Sequence, residues 1–193
     1  MCGTKALETA RLSLNRFTEE DAPAMYAAWA ADPAVTRFLR WQPHRDAAET
    51  ARLLRGWVRD YEEKPGWYNW AIRLRANGAL IGAIGAVLSE EGDWLEPGYA
   101  LSRAHWGRGY MTEALRAVVD YLFTGGGQTV LRCCHAVENP ASGRVMQKVG
   151  FRPVGEGVYH KFDGTPVLCK KYLLTKEEFY DTRGKTESRP VRA

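Results

Sequence analysis

The chain contains few cysteines, only four among 193 residues: Cys2, Cys133, Cys134 and Cys169. They form no C-x-x-C pair. Cys133 and Cys134 are adjacent in a segment of strand-like composition, so we expect their side chains to point to opposite faces. This spacing argues against a zinc site and against a disulfide framework, and we expect no bound metal.

Long apolar runs are also missing. The longest, Ala79–Leu88, is about half the length that spans a bilayer. The N-terminal segment MCGTKALETA has no apolar core of the kind found in signal peptides. The sequence therefore predicts a cytoplasmic protein with no membrane partner.

The chain has no strong charge of one sign. Its formal net charge is +4, but residues 183–193 hold four basic residues and one acidic residue, so residues 1–182 carry only +1. The basic segment lacks apolar periodicity and is predicted to be a disordered tail. We expect no nucleic-acid partner, although weak attachment of this tail to ribosomal RNA stays open.

Composition and length predict one globular domain over residues 1–182. Hydrophobic residues make up 45% and charged residues 26% of the chain, which are ordinary globular proportions. A chain of this length is large enough to bury a proper core.

The most informative stretch joins a predicted strand, Leu95–Ser102, to a predicted helix, Tyr110–Thr124. The connection ends in Trp106-Gly107-Arg108-Gly109, and Arg103 adds a second positive charge beside it. Glycines allow a ligand to approach the main chain closely, and the first turn of a helix leaves N–H groups that bind anions. The pattern therefore predicts a polyphosphate site, although Glu113 in the first turn would oppose an anion unless it points away.

Two common phosphate-binding motifs do not fit this stretch. No lysine follows Gly109, as a P-loop requires, and Thr112 occupies the third small position of G-x-G-x-x-G/A. The connection is also long for the tight turn of a dinucleotide-binding unit. Another phosphate ligand is indicated.

The whole chain predicts a mixed α/β (α+β) fold with a largely antiparallel central sheet flanked by helices. The predicted order is β-α-α-β-β-β-α-β-α-β-β, with an exposed edge strand that would permit a homodimer. Pro97 lies inside the third of three consecutive strands and should splay it from a neighbour. The boundaries used below are a strand over Arg11–Phe17, a helix from Thr18 to Ala31, a loop over Ala34–Arg45, a hairpin at Ala76-Asn77-Gly78, a helix capped by Asn139 and a last helix capped by Thr175.

Two segments resemble the GNAT acetyltransferase superfamily. They read WGRGYMTEALRAVVDYLF at 106–123 and ENPASGRVMQKVGF at Glu138–Phe151. The resemblance covers nearly all of Arg11–Leu174 and is closest to the branch of the RimJ/RimL ribosomal-protein N-acetyltransferases. Gly109 matches the central glycine of the family pattern Q/R-x-x-G-x-G/A, whereas Trp106 and Met111 depart from it, and Met111 is expected to crowd the pyrophosphate.

The resemblance implies an enzyme that transfers acetyl from acetyl-CoA to a primary amine, either a protein N-terminus or a small molecule, by direct attack in a ternary complex. It also implies a bulge near Pro97 that opens a slot for the pantetheine arm. The predicted cofactor-binding residues are Leu101, Ser102, Arg103, Trp106, Gly107, Arg108, Gly109, Tyr110, Met111, Thr112, Asn139, Arg144 and Lys148. For Arg144 and Lys148 a solvated helix face is the alternative.

The predicted catalytic residues are Glu96 and Ser142. Glu96 would act as a base or hold the ammonium group, with a surface carboxylate as the alternative and His135 as a second candidate base. Ser142, in N-x-x-S, would protonate the leaving thiolate.

The predicted acceptor-binding residues are Trp41, His44 and Tyr68. Tyr68 shares a strand face with Trp70, so core packing is its alternative role. Two other functions stay open: a CoA sensor that has lost catalysis, and a ribosome- or RNA-associated factor.

Overall fold

A computed structural model describes residues 3–89 and 92–187 of the chain. Its centre is an eight-stranded sheet in the order β1-β2-β3-β4-β5-β6-β8-β7. The strands are β1 (Leu7–Glu8), β2 (Leu12–Asn15), β3 (Tyr68–Leu74), β4 (Leu80–Leu88), β5 (Leu95–Leu101), β6 (Val130–Ala136), β7 (Arg152–His160) and β8 (Pro166–Thr175).

The helices follow the predicted order with one addition. They are α1 (Ala22–Met25), α2 (Pro33–Thr36), α3 (Ala47–Glu63), α4 (Tyr110–Thr124), α5 (Pro140–Val149) and α6 (Lys176–Glu187). Short 3-10 turns at Glu19–Asp21 and Arg103–His105 precede α1 and α4, and a π-helical segment, Tyr26–Ala30, continues α1.

The predicted fold class is confirmed, and the predicted elements occur in the predicted order, with strand β1 and helix α2 in addition. The pairs of described strands are antiparallel apart from β5 and β6, which run parallel. Helix α4 has the predicted bounds because its apolar residues recur every three or four positions along one buried face.

Local chemistry accounts for two other confirmed features. Gly78 adopts a φ of 72° in the predicted hairpin, a left-handed conformation that favours glycine. The Thr175 hydroxyl accepts a hydrogen bond from the Glu178 N–H and so caps the start of α6.

Two local predictions were wrong. The segment Ala34–Arg45 is not all loop, because the Asp32 side chain accepts a hydrogen bond from the Ala34 N–H and Pro33 starts helix α2. The first strand is shorter than Arg11–Phe17, and the two-residue strand β1 was missed because it is too short to show periodicity.

The last helix, α6, runs to Glu187, five residues into the segment predicted to be a tail. Residues 188–193 lie outside the described residues, so the prediction of a disordered tail stays untested there.

Strands β5 and β6 separate immediately after they meet. Their parallel pairing is limited to Leu95 and Leu131. The ladder between β4 and β5 is continuous from Gly82 to Leu88 with no register shift, so the bulge implied for this strand is absent there. The splaying predicted for the Pro97 strand therefore occurs on the β6 side, and it opens the sheet at its centre.

Apolar side chains cover the sheet on both faces. The larger cluster joins α4 and α5 to residues such as Leu95 and Leu101 of β5. The smaller cluster joins α1 and α3 to the opposite face, where it includes Ala100. Successive residues of β5 therefore point alternately to two differently built halves of the molecule.

No helix in the described part of the chain is both long enough and apolar enough to cross a membrane.

Candidate active site

A cavity of about 930 Å³ lies where β5 and β6 separate. Its wall contains most of the predicted site residues, which come from β5, the loop before α4, the start of α5 and the segment after α2. The residues concerned are Trp41, Tyr68, Glu96, Leu101, Trp106, Gly107, Gly109, Tyr110, Met111, Thr112, Asn139, Ser142, Arg144 and Lys148. Ser102, Arg103, Arg108 and His44 do not line it.

The loop before α4 presents the start of the helix to this cavity. Gly107 and Gly109 have φ values of 74° and 79°, in the left-handed region that favours glycine. Gly109 is the N-cap residue and no side chain caps the helix. The N–H groups of the first turn, which have no intrahelical acceptor, are thus available to an anion.

Trp106 fastens this loop to the end of β5. Its indole N–H donates to the carbonyl oxygen of Leu101 at 2.7 Å. Trp106 therefore supplies a hydrogen-bond donor at the position where the family pattern has a polar residue.

Arg11, on the neighbouring edge of the sheet, braces the same loop from outside. Its guanidinium donates to the carbonyl oxygen of Arg108 at 3.0 Å and to the Glu113 carboxylate at 2.6 Å, and it lies 4.5 Å from the centre of the Tyr110 ring. These contacts fix both glycines of the loop between Trp106 and the helix.

Glu113 points away from the anion site, although it lies in the first turn of α4. Its carboxylate accepts hydrogen bonds from the Thr9 hydroxyl and from the Arg11 main chain and side chain. Burial raises the pKa of Glu113, but the bonds from Thr9 and Arg11 outweigh it, so the net pKa is lowered. The negative charge of Glu113 is therefore balanced by the Arg11 guanidinium.

The surroundings of Met111 do not favour the expectation that it would crowd the pyrophosphate, although it lines the cavity. Its side chain is 5% exposed and packs in the larger core cluster beneath α4. Two predicted cofactor residues are also placed elsewhere, because Arg103 pairs with Asp32 at 3.2 Å and Ser102 is buried behind the loop.

The start of α5 faces β5 across the gap. The Asn139 side chain accepts a hydrogen bond from the Ser142 N–H, which confirms the predicted helix cap. On β5, the Tyr99 hydroxyl donates to the Ser142 carbonyl oxygen at 3.0 Å and lies 3.0 Å from Ser142 Oγ. Burial raises the pKa of Tyr99 far above its usual value, and the bond with Ser142 only partly opposes this.

Tyr99 was missed by the sequence reasoning. Its alternation with Pro97 and Leu101 places it on the α4 and α5 face of the sheet, which was a usable signal. Nothing in the sequence marks Ser142, 43 residues later, as its partner.

Glu96 lies on the other face of β5 and lines the cavity. Its Oε1 accepts hydrogen bonds from the Ser89 hydroxyl at 2.8 Å and from the Trp94 indole at 3.4 Å. Both bonds fall on one oxygen, which orients the carboxylate and leaves Oε2 for another donor.

His135 lines the cavity, but its burial and contacts favour a structural role over that of a base. Its Nδ1 donates to the Ala136 carbonyl oxygen at 2.8 Å, and its Nε2 lies 3.3 Å from the Tyr172 hydroxyl. Nε2 also lies only 2.4 Å from where a Cβ on Gly143 would be, so α5 can pack here only with glycine at that position. Both ring nitrogens are engaged beneath α5.

The three predicted acceptor residues have different surroundings. Trp41 lines the cavity. His44 is 9% exposed, lies behind Trp41 and contacts the Thr50 hydroxyl at 2.7 Å, so its predicted substrate contact is not supported. Burial lowers the pKa of His44 against a smaller opposite effect of Glu49. Tyr68 borders the cavity but stacks on Trp70 with 1% exposure, which favours packing.

A wall of the cavity is built from the segment 37–42 and the tip of the β7–β8 hairpin. Phe162 N–H donates to the Arg40 carbonyl oxygen at 2.8 Å, and the Tyr159 hydroxyl donates to the Phe38 carbonyl oxygen at 2.7 Å. The Lys161 ammonium donates to the Arg37 carbonyl oxygen at 2.8 Å. These bonds hold aromatic side chains at the mouth of the cavity.

Arg144 and Lys148 lie one turn apart on α5, as predicted, and both are exposed and border the cavity. Within 3–89 and 92–187, no three or more His, Cys, Asp and Glu side chains are grouped to hold a metal ion.

The amino-acid sequence matches a known protein family and several of its members. The profile of the acetyltransferase (GNAT) domain matches residues 11–152. A protein of Bacillus subtilis (strain 168) described as uncharacterized N-acetyltransferase YoaA is 32% identical over 174 residues, which cover 88% of this chain and 96% of that protein. A Bacillus licheniformis protein described as uncharacterized N-acetyltransferase p20 is 27% identical over 91% of this chain and 98% of its own length.

Solved structures share the fold. A GNAT-family acetyltransferase from Bacillus anthracis superposes with a TM-score of 0.78 at 20% identity and covers 90% of this chain and 100% of its own. A structure described as a putative ribosomal-protein-serine acetyltransferase from Vibrio cholerae has a TM-score of 0.77 at 17% identity, over 91% and 99% of the two chains. At these identities the likeness concerns the fold alone.

Proposed function

Since the chain belongs to the GNAT acetyltransferase family, we propose that this acetyltransferase moves an acetyl group from acetyl-CoA to a primary amine by direct attack in a ternary complex. Acetyl-CoA supplies the thioester: the amine nitrogen bonds to its carbonyl carbon, the C–S bond breaks, and the thiolate leaves with the electron pair. The observation that carries the proposal is the separation of β5 from β6 directly beside the uncapped start of α4.

The residues present fit acetyl-CoA. The first-turn N–H groups of α4 would hold the pyrophosphate, with the positive-φ glycines Gly107 and Gly109 allowing close approach. The opened edges of β5 and β6 offer main-chain groups to the amides of the pantetheine arm. The Asn139 side-chain amide would donate to the same arm while its oxygen caps α5. Arg144 and Lys148 would meet the 3′-phosphate at the rim.

The amine must lose a proton before or as it attacks. Glu96 lines the cavity, and it would hold the incoming ammonium group and accept its proton directly or through water. An α-amino group, with a reference pKa of about 7.7–8.0, needs much less help than a lysine at about 10.4.

The departing sulfur needs a hydrogen-bond donor, and Ser142 is the residue we assign. Tyr99 has one hydroxyl hydrogen, so while it donates to the Ser142 carbonyl oxygen, the Ser142 O–H donates to Tyr99 Oη. When Tyr99 turns its hydrogen to Ser142 Oγ, the serine O–H is released to donate to the thiolate. Tyr99 is therefore a positioning residue that sets the direction of the serine donor.

A calorimetric titration with acetyl-CoA, followed by thiol release against a panel of amines and N-terminal peptides, tests this function. We expect micromolar binding and thiol release with at least one amine. Binding with no release across the panel would favour the CoA sensor. An absence of binding would overturn the assignment of the loop before α4.

A further inference from the structure

We propose that the acceptor is a primary amine with an apolar or aromatic body and an anionic group, which Glu96 and Arg40 bind at its two ends. The inference rests on the proposed function and adds the chemical class of the acceptor to it.

The acceptor half of the cavity is the half on the α1 and α3 side of the sheet. Glu96 shares its β5 face with Ala100, which packs in the cluster of α1 and α3, whereas Tyr99 points to α4 and α5. An amine that enters from the α1 side therefore meets Glu96, while the reacting thioester is approached by Ser142 from the opposite side. Glu96 is the one carboxylate among the described residues that line the cavity.

Two arginines border the same half, and they differ in their partners. Arg37 pairs with Glu138 at 2.7 Å, so its charge is already matched. Arg40 stands over the Tyr159 ring at 5.5 Å, and its other contact is a long one, 3.5 Å, to the His160 carbonyl oxygen. Among residues 3–89 and 92–187, Arg40 forms no ion pair.

Arg40 and Glu96 act on the same part of the cavity. Burial is the main cause that raises the pKa of Cys134 in the cavity wall, and among smaller effects Glu96 raises this pKa while Arg40 lowers it. Both side chains also line the same cavity as Cys134. The guanidinium lies over an aromatic ring, and its fork of N–H donors suits a carboxylate.

The wall between the two charges is aromatic. Phe38, Trp41, Tyr159 and Phe162 line it, and the hairpin contacts described above hold this wall in place. A purely polar or polycationic amine would leave these rings without a partner and would meet the positive charge of Arg40. An amine with an apolar body and a carboxylate matches the Glu96 carboxylate, the aromatic wall and the Arg40 guanidinium.

Thiol release with two pairs of matched amines tests the inference. The first pair is phenylalanine and phenylalaninamide, and the second is 4-(aminomethyl)benzoate and 4-(aminomethyl)benzamide, in which the charges are further apart. We expect at least one carboxylate to be used with a kcat/KM roughly ten-fold above its amide, because a charge-assisted hydrogen bond is gained.

Arg40→Gln should remove that preference by lowering the kcat/KM of the carboxylate to about the value of its amide. Arg45→Gln is the matched control, since Arg45 is an exposed arginine after α2 that does not line the cavity. Equal use of both members of both pairs, or a preference that survives Arg40→Gln, would overturn the inference and leave the enzyme assignment intact. No thiol release with any of these amines or with the wider panel would overturn both.

Discussion

Tyr99 Oη lies 3.0 Å from Ser142 Oγ, and this contact joins strand β5 to helix α5 across the place where the sheet opens. The same tyrosine hydroxyl donates to the main-chain carbonyl of Ser142. The residue proposed to assist the leaving thiolate is thus held by a buried phenol whose raised pKa keeps it protonated over the working pH range.

Tyr99→Phe should lower kcat roughly ten-fold, which corresponds to about 1.4 kcal/mol of transition-state stabilisation. Without the Tyr99 hydroxyl, the Ser142 O–H is no longer directed toward the leaving sulfur. We expect the Kd for acetyl-CoA, measured by calorimetry, to stay near the wild-type value because the loop before α4 is untouched. A fall in affinity with unchanged kcat would assign Tyr99 to packing.

Ser142→Ala should lower kcat on the order of a hundred-fold, the range of a single acid-base group. The double variant Tyr99→Phe with Ser142→Ala should be no slower than Ser142→Ala alone. Tyr99 acts only through the Ser142 hydroxyl, so its loss has no further effect once that hydroxyl is gone. Steady-state kinetics of the four proteins provide the cycle, and additive losses would show that the two hydroxyls act separately.

Gly109→Asp should abolish measurable acetyl-CoA binding, because it places a negative charge at the uncapped start of α4. Gly78→Asp is the matched control: its φ of 72° is close to the 79° of Gly109, and a Cβ there has open space. Both variants carry a similar conformational cost, so thermal melts should shift alike. Calorimetry should separate them, and normal acetyl-CoA affinity in Gly109→Asp would refute the phosphate assignment.

Glu113→Gln should lower stability at neutral pH. The pKa of Glu113 is lowered in the folded chain, so its contribution is complete above the unfolded value near 4.5 and is lost as pH falls through the lower folded value. The difference in free energy of unfolding between wild type and Glu113→Gln should therefore shrink below pH 4.5. Urea titrations over this range measure it.

Glu62→Gln is the control for that series. Glu62 pairs with Arg16 at 2.7 Å, but its side chain is 76% exposed, and exposed pairs contribute little. Its effect should be small at every pH. If the difference in free energy of unfolding between wild type and Glu113→Gln did not change with pH, the stabilising contacts of Glu113 with Thr9 and Arg11 would be contradicted.

Glu96→Gln should raise KM for the acceptor amine about ten-fold, lower kcat because glutamine cannot accept the proton, and leave the Kd for acetyl-CoA unchanged. Glutamine keeps the shape and the acceptor oxygen for Ser89 and Trp94, so only the charge is lost. Steady-state kinetics with a saturating donor measure the change. An unaltered amine KM and kcat would reduce Glu96 to a surface carboxylate.

The sequence predicted what depends on neighbouring residues. The bounds of α4, the Asn139 cap and the two glycines follow from helical periodicity, capping chemistry and backbone freedom, all of which act within a few positions. The fold order followed in the same way, because most elements are joined by short, recognisable turns.

Contacts between distant segments could not be predicted. Arg11 and Glu113 are 102 residues apart, and no local pattern pairs them, so the first-turn acid could only be noted as a conflict with an anion site. His44 and His135 were chosen for their residue type, whereas burial and hydrogen bonds decide their roles. The side-chain direction of Met111 depended on the packing of α4 on the sheet.

CoA release with and without an amine is the measurement that tests the account most directly. Direct attack in a ternary complex predicts release only when acetyl-CoA and a primary amine are both present, with no initial burst of thiol before the amine is added. Release at the same rate without an amine, or no release with any amine despite tight acetyl-CoA binding, would contradict it.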